Sequence, residues 1–323
     1  MRSATPAPGS RIDCADPRTT DSQVHTSPSG VALAVDIGGT KFEVGLVAAS
    51  GEVIVRRRCA TPANADGEQL LSALTQLVDE VLAAQAGLGV WAEVCGVGSG
   101  GPMSTAHDSV SPINIRGWRG FPLRRRLAEH TELPTVIDND AKALALAEGW
   151  LGSAAGVRDY MAMVVSTGVG GGIVLDGRLL DGADGNAGHV GHICVVPDGR
   201  LCGCGAYGCL EAEASGTSIA AITGAPAAEA SRVVVERTGL LIGRAVSSVA
   251  NLLDLKLVVV AGSVALGFGA PFFAAAQAEI DARSRIEFAA GARIVPASLG
   301  ADGPLIGAAA VGFRSLGSLL STP

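Results

Sequence analysis

The sequence predicts an α/β protein made of two related halves that face one cleft. Two observations support this fold class. A strand, a glycine turn and a second strand occur twice, around residues 36–47 and around residues 164–175. Between these segments, one strand ends in three polar side chains directly before an apolar helix. The chain of 323 residues is long enough for one large or two medium domains with a sizeable core.

The first half is expected to begin after a polar leader. Residues 1–30 mix Pro, Ser, Thr and Asp without an apolar run, which predicts a disordered segment, and no signal peptide is visible. A β-branched run at 31–35, a glycine turn at 38–39 and alternation over 42–47 predict a hairpin whose tight turn is open to a ligand. An amphipathic helix (69–84) and a buried strand that runs into a Gly/Pro loop (94–103) follow.

The second half contains the repeat of the strand, turn and strand pattern. Its expected elements are a strand (134–140), a helix (141–150), two strands around a glycine turn (160–175), a third strand after the Asp176-Gly177 turn, a long helix (231–254), a strand (256–261) and a terminal helix (304–320). Residues 257–278 carry no charge and are long enough to cross a bilayer. Glycines and Pro271 interrupt this segment, so we expect a strand, a turn and a helix there, and no membrane partner.

Composition and charge narrow the function. The formal net charge of -7 argues against a nucleic-acid partner, which would need a basic face. The arginine triplets at 56–58 and 124–126 lie alone beside apolar residues and are expected to be solvated surface. Seven cysteines, three of them clustered, indicate a metal site in a reduced compartment, with the cytoplasm as the expected location. The remaining cysteines are expected to be ordinary core or tail residues: Cys14, Cys59, Cys95 and Cys194.

The two glycine turns have the properties of a phosphate site. Because glycine has no Cβ, backbone N–H groups in such turns approach phosphate oxygens closely and form a concavity that holds an anion. Asp36 beside the first turn can hold a hydrated Mg²⁺, and Thr40, Lys41 and Thr167 add hydroxyl and ammonium donors. The glycine spacing matches neither a P-loop nor a dinucleotide fold, so two plain tight hairpins are the alternative.

The segment from Asp138 to Asp140 places two carboxylates and an amide between a strand and a helix. In α/β folds, side chains at this position project into the crevice that binds ligands. Asp140 can accept a proton from a substrate hydroxyl there, while Asn139 holds a neighbouring hydroxyl. The alternative is that Asp138 or Asn139 only caps the helix, and capping is the role that we expect for Asp138.

One histidine and three cysteines have the spacing of a zinc site. His192, Cys202, Cys204 and Cys209 form the pattern H-x9-C-x-C-x4-C, a complete tetrahedral Cys₃His set. Because all four positions are filled by protein, we expect a closed structural Zn²⁺ site without an activated water. Chance clustering of buried thiols is the alternative.

Four motifs in this chain resemble the ROK family, which is named for repressors, open reading frames and kinases. They are VDIGGTKFEVGLV, IDNDAKALALAE, STGVGGGIVLDGRLLDG and AGHVGHICVVPDGRLCGCGAYGCLEAEASG, and they match in order within residues 31–315. The resemblance implies an actin/hexokinase-like (ribonuclease H-like) α/β fold with a nucleotide and sugar cleft between two domains. These would be an N-terminal domain over 31–137, on which the terminal helix 304–320 packs back, and a C-terminal domain over 138–303 with the zinc motif 192–209.

The resemblance also implies an activity, in which the γ-phosphoryl group of ATP is transferred to a sugar hydroxyl, usually the 6-hydroxyl of a hexose or hexosamine, with Mg²⁺. It further suggests a homodimer. The family's catalytic base matches Asp140. The sugar contacts match Asn139, His192 and Glu211, with His192 also binding zinc. The nucleotide contacts match Asp36, Gly38, Gly39, Thr40 and Lys41 in the first phosphate motif, Thr167 and Gly168 in the second, and Gly262 and Ser263 in the adenosine loop.

The chain departs from the family pattern at two places. The usual Gly-Glu-x-Gly-His reads Gly-His-x-Gly-His here, so His189 replaces a sugar-binding carboxylate. A carboxylate accepts from two hydroxyls, whereas a neutral imidazole offers one acceptor and one donor, and the preferred sugar should change accordingly. This form is similar to bacterial N-acetylmannosamine kinases, and other sugar kinases of the family share it. The adenosine loop reads Ala261-Gly262-Ser263 where the family commonly has Gly-Gly.

We therefore expect an ATP-dependent kinase for the 6-hydroxyl of a hexose, with glucose as the first prediction. N-acetylmannosamine or another N-acylhexosamine is the alternative acceptor. Some ROK members are instead sugar-responsive repressors, which carry a DNA-binding helix-turn-helix ahead of the sugar domain. The polar residues 1–30 do not resemble such a segment, and the phosphate turns and Asp140 are intact, so catalysis is favoured. The third alternative is a sugar sensor of the same family without catalytic activity.

Overall fold

The computed structural model describes residues 30–317 of the chain. The leader expected over residues 1–30 lies outside the described residues apart from Gly30. Cys14 and the end of the expected terminal helix, residues 318–320, lie outside them as well.

Two five-stranded sheets with the same topology form the framework. The first has the order β3-β2-β1-β4-β5 and the second the order β10-β9-β6-β7-β8. The strands are β1 (Val31–Ile37), β2 (Lys41–Ala48), β3 (Val53–Ala60), β4 (Ala92–Ser99), β5 (Thr135–Asn139), β6 (Tyr160–Val165), β7 (Val169–Leu175), β8 (Arg178–Leu179), β9 (Leu257–Ala261) and β10 (Arg293–Pro296). In each sheet the three strands that come first along the chain are antiparallel neighbours (β1–β3 and β6–β8). The other two strands run parallel to the first of these three (β4 and β5 to β1, β9 and β10 to β6). The second sheet therefore has the same strand topology as the first sheet, in agreement with the prediction of two related halves.

Ten α-helices connect and cover these sheets within the described residues. They are α1 (Gly67–Ala83), α2 (Gln85–Leu88), α3 (Leu123–Thr131), α4 (Asp140–Trp150), α5 (Leu210–Ala214), α6 (Gly216–Thr223), α7 (Arg232–Leu253), α8 (Ser263–Phe268), α9 (Ala270–Arg283) and α10 (Gly303–Ser315). The first helix shows why the sequence folds locally as it does. Asp66 and Gln69 form a capping box at its start, and its leucine and valine face is buried in the first half.

Two helices cross between the halves. The helix α4 follows β5 of the first sheet but packs on β6 and β7 of the second. The helix α10 follows β10 of the second sheet but packs on β1 and β4 of the first. Glycines permit the close approach, because a Cβ at Gly172 would lie 2.8 Å from the Ala141 carbonyl oxygen and one at Gly307 would lie 2.9 Å from that of Ala143. The proposed domain boundaries at 137/138 and 303/304 stay a prediction.

The uncharged segment 257–278 folds as the sequence predicted. It forms the strand β9, a turn at Gly262, and the helices α8 and α9. Among the described residues, no helix combines the length and the apolar character that a bilayer crossing requires.

Some features were not foreseen from the sequence. The edge strand β3 and the helix α3, which each contain three consecutive arginines, and the four-residue edge strand β10 were not predicted. The expectation of a solvated surface is wrong for Arg56, which is half-buried and pairs with Glu43 at 3.0 Å (Nε to Oε1) and with Asp302. The physical reason is that Glu43 points to the helix side of the sheet and is fully buried, so its charge requires a partner there.

Candidate active site and metal site

The junction of β5 and α4 presents the expected polar side chains. Asn139 is the N-cap residue of α4, and its Oδ1 accepts a hydrogen bond from the Ala141 N–H at 3.0 Å. The expectation that Asp138 caps the helix is wrong. Asp138 still belongs to the strand, paired opposite Gly98, and its carboxylate accepts from the Asn139 N–H at 2.8 Å.

Asp140 begins α4 and is open to solvent in the cleft. Its Oδ1 accepts a hydrogen bond from the Ala141 N–H at 2.8 Å. Desolvation of the carboxylate by the surrounding protein raises the pKa of Asp140 above the usual value, although the backbone N–H groups and the nearby His189 oppose this shift. A carboxylate with a raised pKa is a better proton acceptor for a hydroxyl than an ordinary aspartate.

Asp36 lies at the end of β1, close to Asp140. A Cβ at Gly98, which separates the two residues, would lie 3.9 Å from both the Asp140 Cα and the Asp36 Oδ1. Burial and the charges of Asp140 and Glu43 raise the pKa of Asp36 to about 7, against the opposite effect of Lys41. The two neighbouring carboxylates disfavour each other's ionised form. They therefore fit a divalent cation, which would neutralise their negative charges.

The first glycine turn is closed by its own backbone. The Gly38 N–H donates to the Lys41 carbonyl at 3.0 Å, and Thr61 Oγ1 donates to the Gly38 carbonyl at 2.8 Å. Gly39 packs tightly against Asn114, where a Cβ would lie 2.7 Å from that of Asn114. The Lys41 ammonium, a predicted phosphate donor, pairs with Glu43 in this structure. Thr40 accepts a hydrogen bond at its carbonyl oxygen from the Thr61 N–H at 3.0 Å.

The second glycine turn joins the predicted adenosine loop. The Ser166 N–H donates to the Gly168 carbonyl at 2.9 Å across the turn, and Ser166 Oγ lies 2.9 Å from Ser263 Oγ. Gly262 has a φ of 101°, a conformation that glycine adopts readily. Thr217, which the sequence reasoning missed, donates from its Oγ1 to the Thr167 carbonyl at 3.0 Å.

A cavity of about 520 Å³ lies beside the second turn and contains side chains from both halves. Its lining includes Asn114 of the first half, and Thr167, Gly168, Glu211 and Thr217 of the second, together with Arg200. Arg200 was also missed, because nothing in its local sequence distinguishes it from a surface arginine. The cavity has the position of a nucleotide and substrate cleft in an open α/β fold.

The predicted sugar contacts surround Gly101 and the second turn. A Cβ at Gly101 would lie 3.5 Å from Asn139 Nδ2 and 3.8 Å from His189 Cε1, so these two side chains lie close together. The Glu211 carboxylate accepts from the Val169 N–H at 2.9 Å. Burial and the nearby His192 lower the pKa of His189, although Glu211 and Asp140 act in the opposite direction. The lowered pKa favours the neutral form of the His189 imidazole.

The four predicted zinc ligands lie together, with all ligand atoms within 4.8 Å of one another. His192 Nδ1 lies 3.6 Å from Cys202 Sγ, and Cys204 Sγ lies 3.7 Å from Cys209 Sγ. A tetrahedral zinc site has N–S edges of about 3.6 Å and S–S edges of about 3.8 Å, as its bond lengths require. The residues therefore fit Zn²⁺. Because Nδ1 faces the thiols, Nε2 of His192 is left for a contact in the cleft.

The other cysteines differ from one another. Cys95 is buried and Cys59 is half-buried, as expected for core residues. The expectation is wrong for Cys194, which is exposed on the segment that pairs with Cys209 by a β-bridge, because this segment forms the outer edge of the zinc loop. All six described cysteines are unpaired.

Comparisons with known proteins identify the family of the chain. The model of the ROK family matches residues 32–313. The chain is 38% identical to an N-acetylmannosamine kinase of Escherichia fergusonii over 253 residues, which cover 73% of this chain and 84% of that protein.

Two solved structures are also similar. A ROK hexokinase from Thermus thermophilus has a TM-score of 0.75 and 31% identity, covering 89% of this chain and 99% of its own. A ROK family glucokinase from Streptomyces griseus, solved with glucose and AMPPNP, has a TM-score of 0.76 and 29% identity, covering 88% of this chain and 100% of its own. The expected actin/hexokinase-like fold is thereby confirmed. The chain belongs to the ROK family and is a sugar kinase within it.

Proposed function

We propose that this kinase transfers the γ-phosphoryl group of ATP to the 6-hydroxyl of an N-acylhexosamine, with N-acetylmannosamine as the preferred acceptor. This revises the first prediction, glucose, in favour of the alternative. The observation that carries the revision is the imidazole of His189 beside Asn139, in place of the usual carboxylate, with a pKa that burial and His192 lower below the ordinary value. The 38% identity to an N-acetylmannosamine kinase supports the same acceptor.

The choice follows from hydrogen-bond chemistry. A carboxylate at position 189 would accept from two sugar hydroxyls, as two neighbouring hydroxyls of glucose would require. An acetamido group in place of one hydroxyl presents an amide N–H and a carbonyl, and a neutral imidazole can donate to one group and accept from another. A site built for such a pair discriminates strongly, because the wrong sugar leaves a buried polar group without a partner.

In this proposal Asp140 transfers the proton, and Asn139 and Glu211 orient the sugar. Asp140, with its raised pKa and its place at the helix N-terminus, accepts the proton of the 6-hydroxyl as the oxygen attacks phosphorus. Asn139 and Glu211 hold neighbouring hydroxyls and orient the sugar, which is the main contribution of protein to phosphoryl transfer. A water molecule in the position of the sugar hydroxyl would hydrolyse ATP. A correctly oriented sugar also prevents this loss of the phosphoryl donor.

The phosphates would lie against the two glycine turns. Asp36 would hold Mg²⁺, which would neutralise charge on the transferred group. Gly38, Gly39, Thr40 and Lys41 would contact the phosphates from the first half, and Thr167 and Gly168 from the second. Gly262 and Ser263 would contact the adenosine.

Zinc at His192, Cys202, Cys204 and Cys209 would be structural, because the protein fills all four positions. The ion would fix the imidazole of His192, whose Nε2 would then contact the sugar. We also propose a homodimer and a reducing compartment such as the cytoplasm. The unpaired cysteines support the compartment, and light scattering on the purified protein tests the dimer.

A coupled ADP-release assay with ATP tests the proposed acceptor. The acceptors are N-acetylmannosamine, N-acetylglucosamine, mannose and glucose, with the phosphorylated carbon located by NMR. We expect the highest kcat/KM for N-acetylmannosamine and a 6-phosphate product. A higher kcat/KM for glucose than for both N-acylhexosamines would restore the first prediction. Sugar binding without turnover would indicate the catalytically idle sensor.

A further inference from the structure

A partly buried group of charged side chains lies beside the junction of β5 and α4 and takes no part in the mechanism above. We name it the Lys142 network. Its members are Lys142, Asp138, Asp181, Arg314 and the carbonyl of Gly185.

Lys142 is the centre of this network. It is 0% exposed, and the ammonium group is surrounded by three acceptors. These are Asp181 Oδ1 at 2.7 Å, the Gly185 carbonyl at 3.0 Å and Asp138 Oδ1 at 3.2 Å. Two of the ammonium N–H groups donate hydrogen bonds to Asp181 and Gly185, and the ion pair with Asp138 adds to the compensation of the buried charge.

The outer end of the network is held by the crossing helix α10. Arg314 Nη2 donates to Asp181 Oδ2 at 3.0 Å, and its Nη1 lies 3.7 Å from Asp138 Oδ2. Although burial raises the pKa of Asp181, the hydrogen bonds from Lys142 and Arg314 hold it below the usual value. Two carboxylates therefore face two cations, and His107, whose Nδ1 lies 3.9 Å from Asp138, borders the group.

The network connects the two segments that form the sugar site. Asp138 and Lys142 directly flank the pair Asn139 and Asp140 in the sequence. On the other side, Lys142 binds both ends of the segment 181–185, which leads to His189. Lys142 thus fixes the segment that carries His189 onto the helix that carries the catalytic base.

We propose that Lys142 is a positioning residue for the sugar, which sets the distance between His189 and the Asn139–Asp140 pair. The inference rests on the proposed sugar site. Loss of the Lys142 contacts would release the segment 181–189 and not the glycine turns. Sugar recognition should therefore weaken while ATP recognition persists, because small displacements at a reacting centre have large effects.

The test compares kinetic constants of three variants. Lys142→Met removes the ammonium group, and Asp181→Ala removes its main partner from the half-exposed end of the network. Asp181→Asn keeps an oxygen acceptor for Lys142. We expect Asp181→Ala and Lys142→Met to raise the sugar KM about tenfold or more, with the ATP KM within about twofold and Asp181→Asn closer to the parent. The ratio of kcat/KM between N-acetylmannosamine and glucose should also change in the first two variants.

The matched control is Asp176→Ala, which breaks an exposed pair with Arg158 on the same half and should leave both KM values unchanged. If Lys142→Met does not fold, Asp181→Ala alone decides the question. A parallel rise of the sugar and ATP KM values, or no change in either, would overturn the proposal. The parent enzyme is assayed first. If it uses only hexoses, the proposed acceptor fails, and the KM comparison is then made on that hexose.

Discussion

The strands β5 and β10 occupy the same position in the two sheets, and each is followed by a helix that crosses to the other half. Their ends carry different chemistry. Asn139 caps α4 and Asp140 begins it, whereas α10 begins at Gly303, and its N-cap residue Asp302 makes no capping bond and pairs with Arg56. The same scaffold therefore occurs twice, but at this position only the first copy has a carboxylate that is not held in an ion pair with an arginine.

The glycine turns differ in the same way. The turn after β1 lies among charged groups, with Asp36 before it and Lys41 after it. The turn after β6 consists of Ser166, Thr167 and Gly168 and carries hydroxyl groups only. A charged turn suits a metal and the transferred phosphate, and a neutral turn suits the rest of the nucleotide. In the proposed mechanism, the first copy therefore carries the groups that act on the transferred phosphate, and the second copy binds the rest of the nucleotide.

Replacement of the proton acceptor is the strongest test of this division. Asp140→Asn should keep sugar binding but lower kcat about 10²- to 10⁴-fold, the usual contribution of a general base. Ser298→Ala, at the corresponding strand end in the second copy, should change kcat less than about twofold. Steady-state kinetics and sugar titration measure both. Equal turnover by parent and Asp140→Asn would remove Asp140 from the mechanism.

Asp36 offers the next largest effect, with opposite signs for activity and stability. Asp36→Asn should lower kcat/KM about 10²-fold, because the metal that neutralises the phosphates loses its carboxylate. The pKa of about 7 in the folded protein lies above the unfolded value of 3.8. The folded state then binds more protons between these values, so ionisation of Asp36 reduces stability as the pH rises through this window.

The Asp36→Asn variant has no carboxylate to ionise at this position, so its stability does not fall in this pH window. In the absence of ligands, Asp36→Asn should therefore raise Tm at pH 8 by at least about 2 °C, and the gain should vanish near pH 4. Thermal denaturation at both pH values checks the sign. A lower Tm at pH 8 would show that the ionised carboxylate is stabilised by its surroundings.

The four predicted zinc ligands lie between β8 and α5, and no matching cluster lies in the first half among residues 30–137. Cys204→Ser should reduce bound zinc well below one per chain and lower Tm by about 5 °C or more, since structural metal binding contributes to folding. Cys194→Ser, at the exposed cysteine outside the cluster, is the control. Elemental analysis that finds no zinc in the folded parent would exclude the assignment.

His189 should give the smallest change. His189→Glu should shift the kcat/KM ratio between N-acetylmannosamine and glucose about three- to tenfold toward glucose, the value of one hydrogen bond or slightly more. Zinc content should stay at the parent level, because Nδ1 of His192 and not His189 faces the thiols. Loss of zinc in this variant would mean that the two histidines were assigned in the wrong order.

Much of the fold was readable from local patterns. The hairpins with glycine turns, the helices α1, α4 and α7, and the strand β9 have strong periodicity or clear turn residues, and the structure contains them. The strand β3 was missed because three consecutive arginines break its alternation, and β10 because it has only four residues. The packing of α4 on the second sheet depends on tertiary contacts, which no local pattern records, and the return of α10 to the first half was expected only from the family resemblance.

The candidate site, like the fold, could be predicted from the sequence only in part. The zinc cluster was predictable because its ligands are close in sequence, and the structure brings all four together. The pairing of Lys41 with buried Glu43 was not foreseen, since the sequence of β2 does not show that both faces of this strand are covered. The contact of Lys142 with Asp181 joins residues 39 positions apart, so only the folded chain reveals it.

The crossing of α4 and α10 also limits how this protein can be recombined with its relatives. Leu305, Ala308 and Phe313 of α10 pack in one cluster with Ala32 and Val94 of the first sheet. A chimera that exchanges only the residues before α4 would pair a new sheet with an old covering helix. Exchange experiments aimed at sugar preference should therefore transfer residues 303–315 together with the first half, so that the core remains matched.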